Sequence, residues 1–156
     1  MLYLAYGSNL NVRQMKIRCP LAKTAGKFLM PDYKLIFRSV ADITKSKGDK
    51  VPIGVWEITE QCEKALDRYE GYPNLYRKEF ISIKQNGKRV SAMFYQMNDE
   101  SYEYPPQSGY YRTIEEGYDN FTLEKEYLTN AFENSLKKSD EHYDYIYNRN
   151  ASRPSR

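Results

Sequence analysis

Two short segments bring together residue types whose spacing suits chemistry. The first is Tyr6, Gly7, Ser8, Asn9 and Leu10, where an apolar run passes through glycine into residues that start helices. Glycine permits a tight turn, including one with positive φ, and amides left unpaired at a helix start can cradle an anion or a developing oxyanion. The same residues also read as a plain turn in which Ser8 or Asn9 caps the following helix. A phosphate-binding loop is excluded, because the Gly-Lys-Ser/Thr ending is missing. The second segment is LDRYEGYPNLY, residues 66–76. Counting back by four from Glu70 gives Leu66 and Cys62, which sets the carboxylate at the edge of an apolar helical face, just before Gly71. Partial burial and the negative end of the helix dipole would both raise its pKa, towards the range in which a general acid/base works. A glutamate turned into solvent at a helix end is the other reading of that position.

The elements that must hold these segments follow from periodicity. LYLAY opens as an apolar strand, and Val12, Met15 and Cys19 recur at helical spacing until Pro20 stops the helix. Residues 33–37 read as a strand, the polar stretch 39–50 with its KSKGDK sequence as an exposed loop, and VPIGVWEI as a buried strand. Thr59 caps a helix over residues 60–70, with Cys62, Ala65, Leu66 and Tyr69 on its apolar face and Gly71 as its exit. KEFISIK and RVSAMFYQM flank Asn86-Gly87, a strong hairpin signal, and place Tyr95 on one face with Met93 and Met97. A Pro- and Tyr-rich loop, YEYPPQSGYY, leads into a short helix ending near Gly117. Leu128, Ala131, Phe132 and Ser135 mark a last helix that should end near Lys138. Hairpin signals without regular βαβ alternation favour an α+β fold. We expect one domain over residues 1–138 and a C-terminal extension over 139–156, flexible at its end.

Composition narrows the chemistry. The formal charge of +3 is accounted for by Arg149, Arg153 and Arg156 in the polar tail, so the rest is balanced and no basic nucleic-acid surface is expected. No apolar run is long enough for a membrane helix. With one histidine, His142, and two cysteines at no metal-like spacing, neither a metal cage nor a Ser-His-Asp triad is expected; Cys19 and Cys62 read as buried thiols. The N-terminus lacks a basic, signal-like start, which makes the cytoplasm the expected compartment. The 16 tyrosines stand out, since each buried hydroxyl needs a partner.

Taken together, YGSNL near the start, LDRYEGYPNLYRKEF in mid-chain, SAMFYQM and PPQSGYYRTIEEGY resemble the gamma-glutamylcyclotransferase family of the AIG2-like superfamily, in order and in spacing, up to about residue 135. The resemblance implies a small mixed β-barrel with surrounding helices. It also implies a pocket in which the loop of Tyr6, Gly7, Ser8, Asn9 and Leu10 holds a glutamyl group facing Glu70, the proton-transfer residue, with Tyr76, Tyr95 and Tyr110 lining it. Tyr111 stands beside Tyr110, and the spacing to Gly117 favours Tyr110.

The implied reaction is closure of the α-amine of a small γ-glutamyl compound onto its own γ-carbonyl, which gives 5-oxoproline and releases an amine or amino acid. The nucleophile belongs to the substrate, so no cofactor, metal, serine or cysteine is required. The enzyme must hold the glutamyl chain curled, a positioning effect worth about 7–11 kcal/mol in favourable cases. Glutathione fits less well, because the branch devoted to it shows Leu or Ile where this chain has Asn9. A non-catalytic, small-molecule-binding member of the same fold is the main alternative; a single-stranded nucleic-acid surface of tyrosines and arginines is opposed by the charge balance.

Overall fold

The computed structural model describes residues 1–151. Strand β1 (Leu2–Ala5) is buried along its whole length, as its unbroken apolar sequence requires of a strand covered on both faces. It pairs antiparallel with β3 (Val40–Glu57) and parallel with β5 (Lys88–Met97), with Tyr3 opposite both Trp56 and Met93. Long β2 (Lys23–Arg38) flanks β3, and β4 (Tyr76–Gln85) flanks β5, giving the order β2-β3-β1-β5-β4. This mixed sheet curves around the core without closing: no ladder joins β2 to β4, although Gln85 Nε2 reaches across to donate to Ala25 O at 3.2 Å. The α+β class holds, and the expected barrel is an open one.

Helix α1 (Val12–Arg18) follows the YGSNL loop, whose Ser8–Leu10 forms a single 3-10 turn. Thr59 caps α2 (Glu60–Glu70) by accepting from Cys62 N, and Gly71 leaves it at φ 66°, the left-handed conformation that favours glycine. Asn86 and Gly87 both take positive φ in the tight β4–β5 turn. Helix α3 (Ser108–Asn120) lies across the 3-10 turn, with Gly117 against Leu10, and α4 (Glu126–Ala151) buries Leu128, Ala131 and Ser135. No described helix is long and apolar enough to cross a membrane.

Two expectations need correction. Residues 39–50 are not a free loop: 40–45 pair with 33–38 as a continuation of β3, and 46–49 bulge opposite Asp32, whose carboxylate accepts from Gly48 N at 3.0 Å. Only the tip around 45–50 is open to solvent; within 40–45 Ala41, Asp42 and Ile43 are all buried, and the polar Asp42 among them breaks the apolar alternation by which a strand is recognised. The last helix also passes Lys138 and continues to Ala151, with His142 stacked on Tyr102 at 3.6 Å. Of the polar tail, residues 152–156 lie outside the described residues.

Candidate active site

The loop after β1 is tied down from several sides. Leu10 N and Asn11 N close the 3-10 turn onto the carbonyls of Gly7 and Ser8, each at 3.0 Å, and Trp56 Nε1 donates to Asn9 O at 2.9 Å. The first amides of such a turn, those of Ser8 and Asn9, have no partner within it. Gly7 has φ −118°, so the left-handed conformation is not what calls for glycine there. Space is: a Cβ on Gly7 would stand 3.1 Å from Ala41 Cβ.

Beside this loop, the last turn of α2 carries Tyr69 and Glu70 to the wall of a cavity of about 250 Å³. Glu70 Oε1 accepts a hydrogen bond from Asn9 Nδ2 at 3.1 Å, and the same amide nitrogen donates to Tyr3 OH at 2.9 Å. Arg18 donates to the other end of the Asn9 side chain, Oδ1, at 2.8 Å. Burial pushes the Glu70 carboxyl up to about 7, against the pull of the Arg18 charge and the Asn9 hydrogen bond.

Tyrosines make most of the remaining wall. Tyr6 donates to Tyr95 O at 2.6 Å, Tyr76 to Ala41 O at 3.1 Å, and Tyr95 to Asp67 Oδ1 at 2.6 Å, while Tyr110 OH accepts from Ala41 N at 2.9 Å. Behind Tyr95, Lys78 bridges Asp67 and Glu63 at 2.9 and 2.8 Å. Burial holds Tyr3, Tyr6, Tyr76, Tyr95 and Tyr110 above the ordinary phenol range, so each stays a neutral hydroxyl near pH 7. Glu70 is the only carboxylate on the wall among the described residues, and burial holds its carboxyl at about 7.

The structure brings together Glu70 and seven of the eight other residues singled out in the sequence: Tyr6, Gly7, Ser8, Asn9, Tyr76, Tyr95 and Tyr110. Leu10 is the exception. Its side chain is fully buried behind the loop, against Gly54 and Gly117, and does not face the cavity. Tyr110 rather than Tyr111 faces the cavity, since the Tyr111 ring packs between Phe37 and Phe132. Tyr69 needs correction too: it is not core packing but a cavity residue, 45% exposed, bonded through its hydroxyl to Ser8 Oγ at 3.0 Å and stacked under Arg18. Arg18 and Tyr3 were not anticipated. The one available signal for Arg18 was its place a turn beyond Met15, on the helix that the loop opens.

An open, curved mixed sheet with one largely buried carboxyl set over a phenol-lined cavity defines a small α+β protein with a candidate site for a small molecule. The model of the gamma-glutamyl cyclotransferase, AIG2-like family matches residues 3–117, and the chain belongs to that family. It is 31% identical to gamma-glutamylcyclotransferase of Bos taurus over 127 residues, covering 72% of this chain and 66% of the bovine protein. The Homo sapiens protein of the same name is matched over the same shares at 31% identity. A solved structure described as gamma-glutamyl cyclotransferase superposes with a TM-score of 0.72 at 28% identity, over 84% of this chain and 85% of that one. Both free cysteines are buried, as the sequence suggested, with Cys19 Sγ 3.5 Å from Cys62 O.

Proposed function

We propose that this protein is a gamma-glutamylcyclotransferase: it closes the glutamyl group of a small γ-glutamyl compound to 5-oxoproline and releases an amine or amino acid. The observation that carries the reading is Glu70, a carboxyl raised to about 7, hydrogen-bonded to Asn9 of the YGSNL loop on the wall of the cavity. Family membership and the names of the mammalian relatives support it.

In this reading the deprotonated Glu70 takes a proton from the substrate's α-ammonium. The freed amine attacks the γ-carbonyl carbon, forming the ring C–N bond, and the carbonyl oxygen becomes an oxyanion within reach of the Ser8 and Asn9 amides. Glu70 then returns the proton to the departing nitrogen as the original amide C–N bond breaks. Ring closure leaves the attacking nitrogen with a second proton to lose; Glu70, again a carboxylate, takes it and passes it to the released amine, so both ammonium protons end on the leaving group and Glu70 emerges ready for the next turnover. Such a shuttle contributes on the order of 10²–10⁴-fold, and the neutral hydroxyls of Tyr6, Tyr76 and Tyr95 shape the space that keeps the glutamyl chain curled. The free thiols of Cys19 and Cys62 are in keeping with a cytoplasmic setting. Incubation with a panel of γ-glutamyl peptides and amines, read by mass spectrometry for 5-oxoproline, tests the proposal. Product from wild type, formed about 10²–10⁴-fold more slowly by Glu70→Gln, is the expected result, and a wild-type protein that binds these compounds without converting them would establish the non-catalytic alternative.

A further inference from the structure

The cavity is graded from floor to rim. Tyr3, Asn9 and Tyr95 are 4%, 2% and 2% exposed and present polar groups beside Glu70. The rim is different: Leu75 and Tyr69 are 65% and 45% exposed and Val40 and Met97 part-buried, so apart from the Tyr69 hydroxyl, which is bonded to Ser8 Oγ, the wall nearest solvent is carbon. None of the described lining residues is Lys, Arg or His. The cations close by are engaged elsewhere. Arg18 donates to Asn9 and Gln14 and stacks on Tyr69; Arg77 donates to Met97 O and to Glu79; Arg38 is paired with buried Asp42.

Resting on the cyclotransferase reading, the grading bears on the half of the substrate that leaves. A glutamyl head on the polar floor puts its γ-amide near Glu70 and directs the amine half outwards, past Leu75, Val40 and Met97. We infer that this rim selects γ-glutamyl compounds whose amine half is apolar, such as an aliphatic or aromatic amino acid or an alkylamine, and discriminates against acidic ones. Carbon gains by covering the rim, whereas an anionic amine half finds no free cation there and lies above the Glu70 carboxylate.

The test is a series of four compounds: γ-glutamyl-isopentylamine, γ-glutamyl-leucine, γ-glutamyl-glycine and γ-glutamyl-aspartate. Specificity constants should fall in that order or with the first two equal, with leucine about tenfold or more above aspartate, since a single methylene in an apolar pocket is worth about 10–200-fold at most. The isopentylamide separates an apolar amine from an apolar amino acid. Leu75→Lys should shrink the leucine-to-aspartate ratio several-fold. Aspartate or glycine matching leucine, or a ratio unmoved in the lysine variant, would overturn the inference. If no compound yields 5-oxoproline, the cyclotransferase reading fails by itself, and calorimetric binding of the same series still decides the rim: leucine above aspartate upholds the selection, and the reverse or no difference removes it.

Discussion

Arg18 and Glu70 meet through a single side chain. The guanidinium donates to Asn9 Oδ1 at 2.8 Å, which leaves Asn9 Nδ2 to donate to Glu70 Oε1 at 3.1 Å. An asparagine amide alone is free to turn over and present its oxygen instead, which would set a carboxylate against a carbonyl. Arg18 fixes which end faces Glu70, and it is itself held by Gln14 Oε1 at 2.6 Å and by the Tyr69 ring.

Arg18 is therefore a positioning residue with a second, electrostatic effect. Its charge lowers the Glu70 pKa, so Arg18→Met should move the acid limb of the pH–rate profile above its wild-type position. Arg18→Lys keeps the charge but loses the planar fork; its limb should stay near that of wild type while kcat/KM falls by about tenfold. Profiles of 5-oxoproline formation over pH 5–9 for the three proteins check this. Wild-type limbs and rates in both variants would leave Arg18 as a surface brace.

For wild type, the first step needs the carboxylate. Because the Glu70 carboxyl is held at about 7, kcat/KM should drop as pH falls through about 7, tenfold per unit at the low end. Glu70→Gln should lose about 10²–10⁴-fold and show no such limb. A wild-type limb near 4.5 would mean that the carboxyl is not buried in the working protein.

The contrast between what local signals reveal and what they hide is visible in single residues. Gly71 and the Asn86-Gly87 turn were legible because each demands a backbone conformation that few residues adopt, and all three have positive φ. Glu70 was legible because a charge four residues beyond Leu66 on an apolar stripe needs a reason. The strand through 40–45 was not, since its apolar pattern is broken by Asp42, a buried carboxylate that accepts from Met97 N and pairs with Arg38. Tyr69 sits at an apolar helix position but in the last turn, where α2 has run past the core. Helical counting gives the direction in which a residue leaves the axis, and not where the packing ends. Arg18 was hidden for a related reason: a long side chain returns to the loop by a path that sequence spacing does not encode.

The loop also depends on a residue far from the chemistry. Gly117 lies so close to the YGSNL turn that a Cβ there would stand 2.5 Å from Leu10 Cβ and 2.8 Å from Asn11 N. The second contact is with backbone, which cannot swing aside as a flexible side chain can. Gly117→Ala should cost about 1–3 kcal/mol in urea unfolding and lower kcat/KM by displacing the turn. Gly7→Ala, facing Ala41 Cβ at 3.1 Å, should be milder in stability. Equal stability of Gly117→Ala and wild type would show that α3 can move off the loop at little cost.

Glu70 should also cost the fold something, and the sign can be worked out. A carboxyl raised from 4.5 to about 7 binds its proton more tightly in the folded than in the unfolded chain. Its contribution is most favourable below about 4.5, where both states are protonated, and stability is lost as pH rises from there through about 7, because the unfolded chain ionises first. At roughly 1.4 kcal/mol per unit the loss approaches about 3–4 kcal/mol above pH 7. Glutamine has nearly the same shape, still offers an oxygen to Asn9 Nδ2, and carries no charge to desolvate. Glu70→Gln should therefore unfold at higher urea than wild type at pH 8, with the gain gone by about pH 4. The residue whose loss ends catalysis would then be one whose loss strengthens the fold, and only at the pH where its carboxylate is in use. A variant no more stable than wild type at pH 8 would mean that water reaches Glu70 freely, and with that the raised pKa on which the proton shuttle depends would be lost.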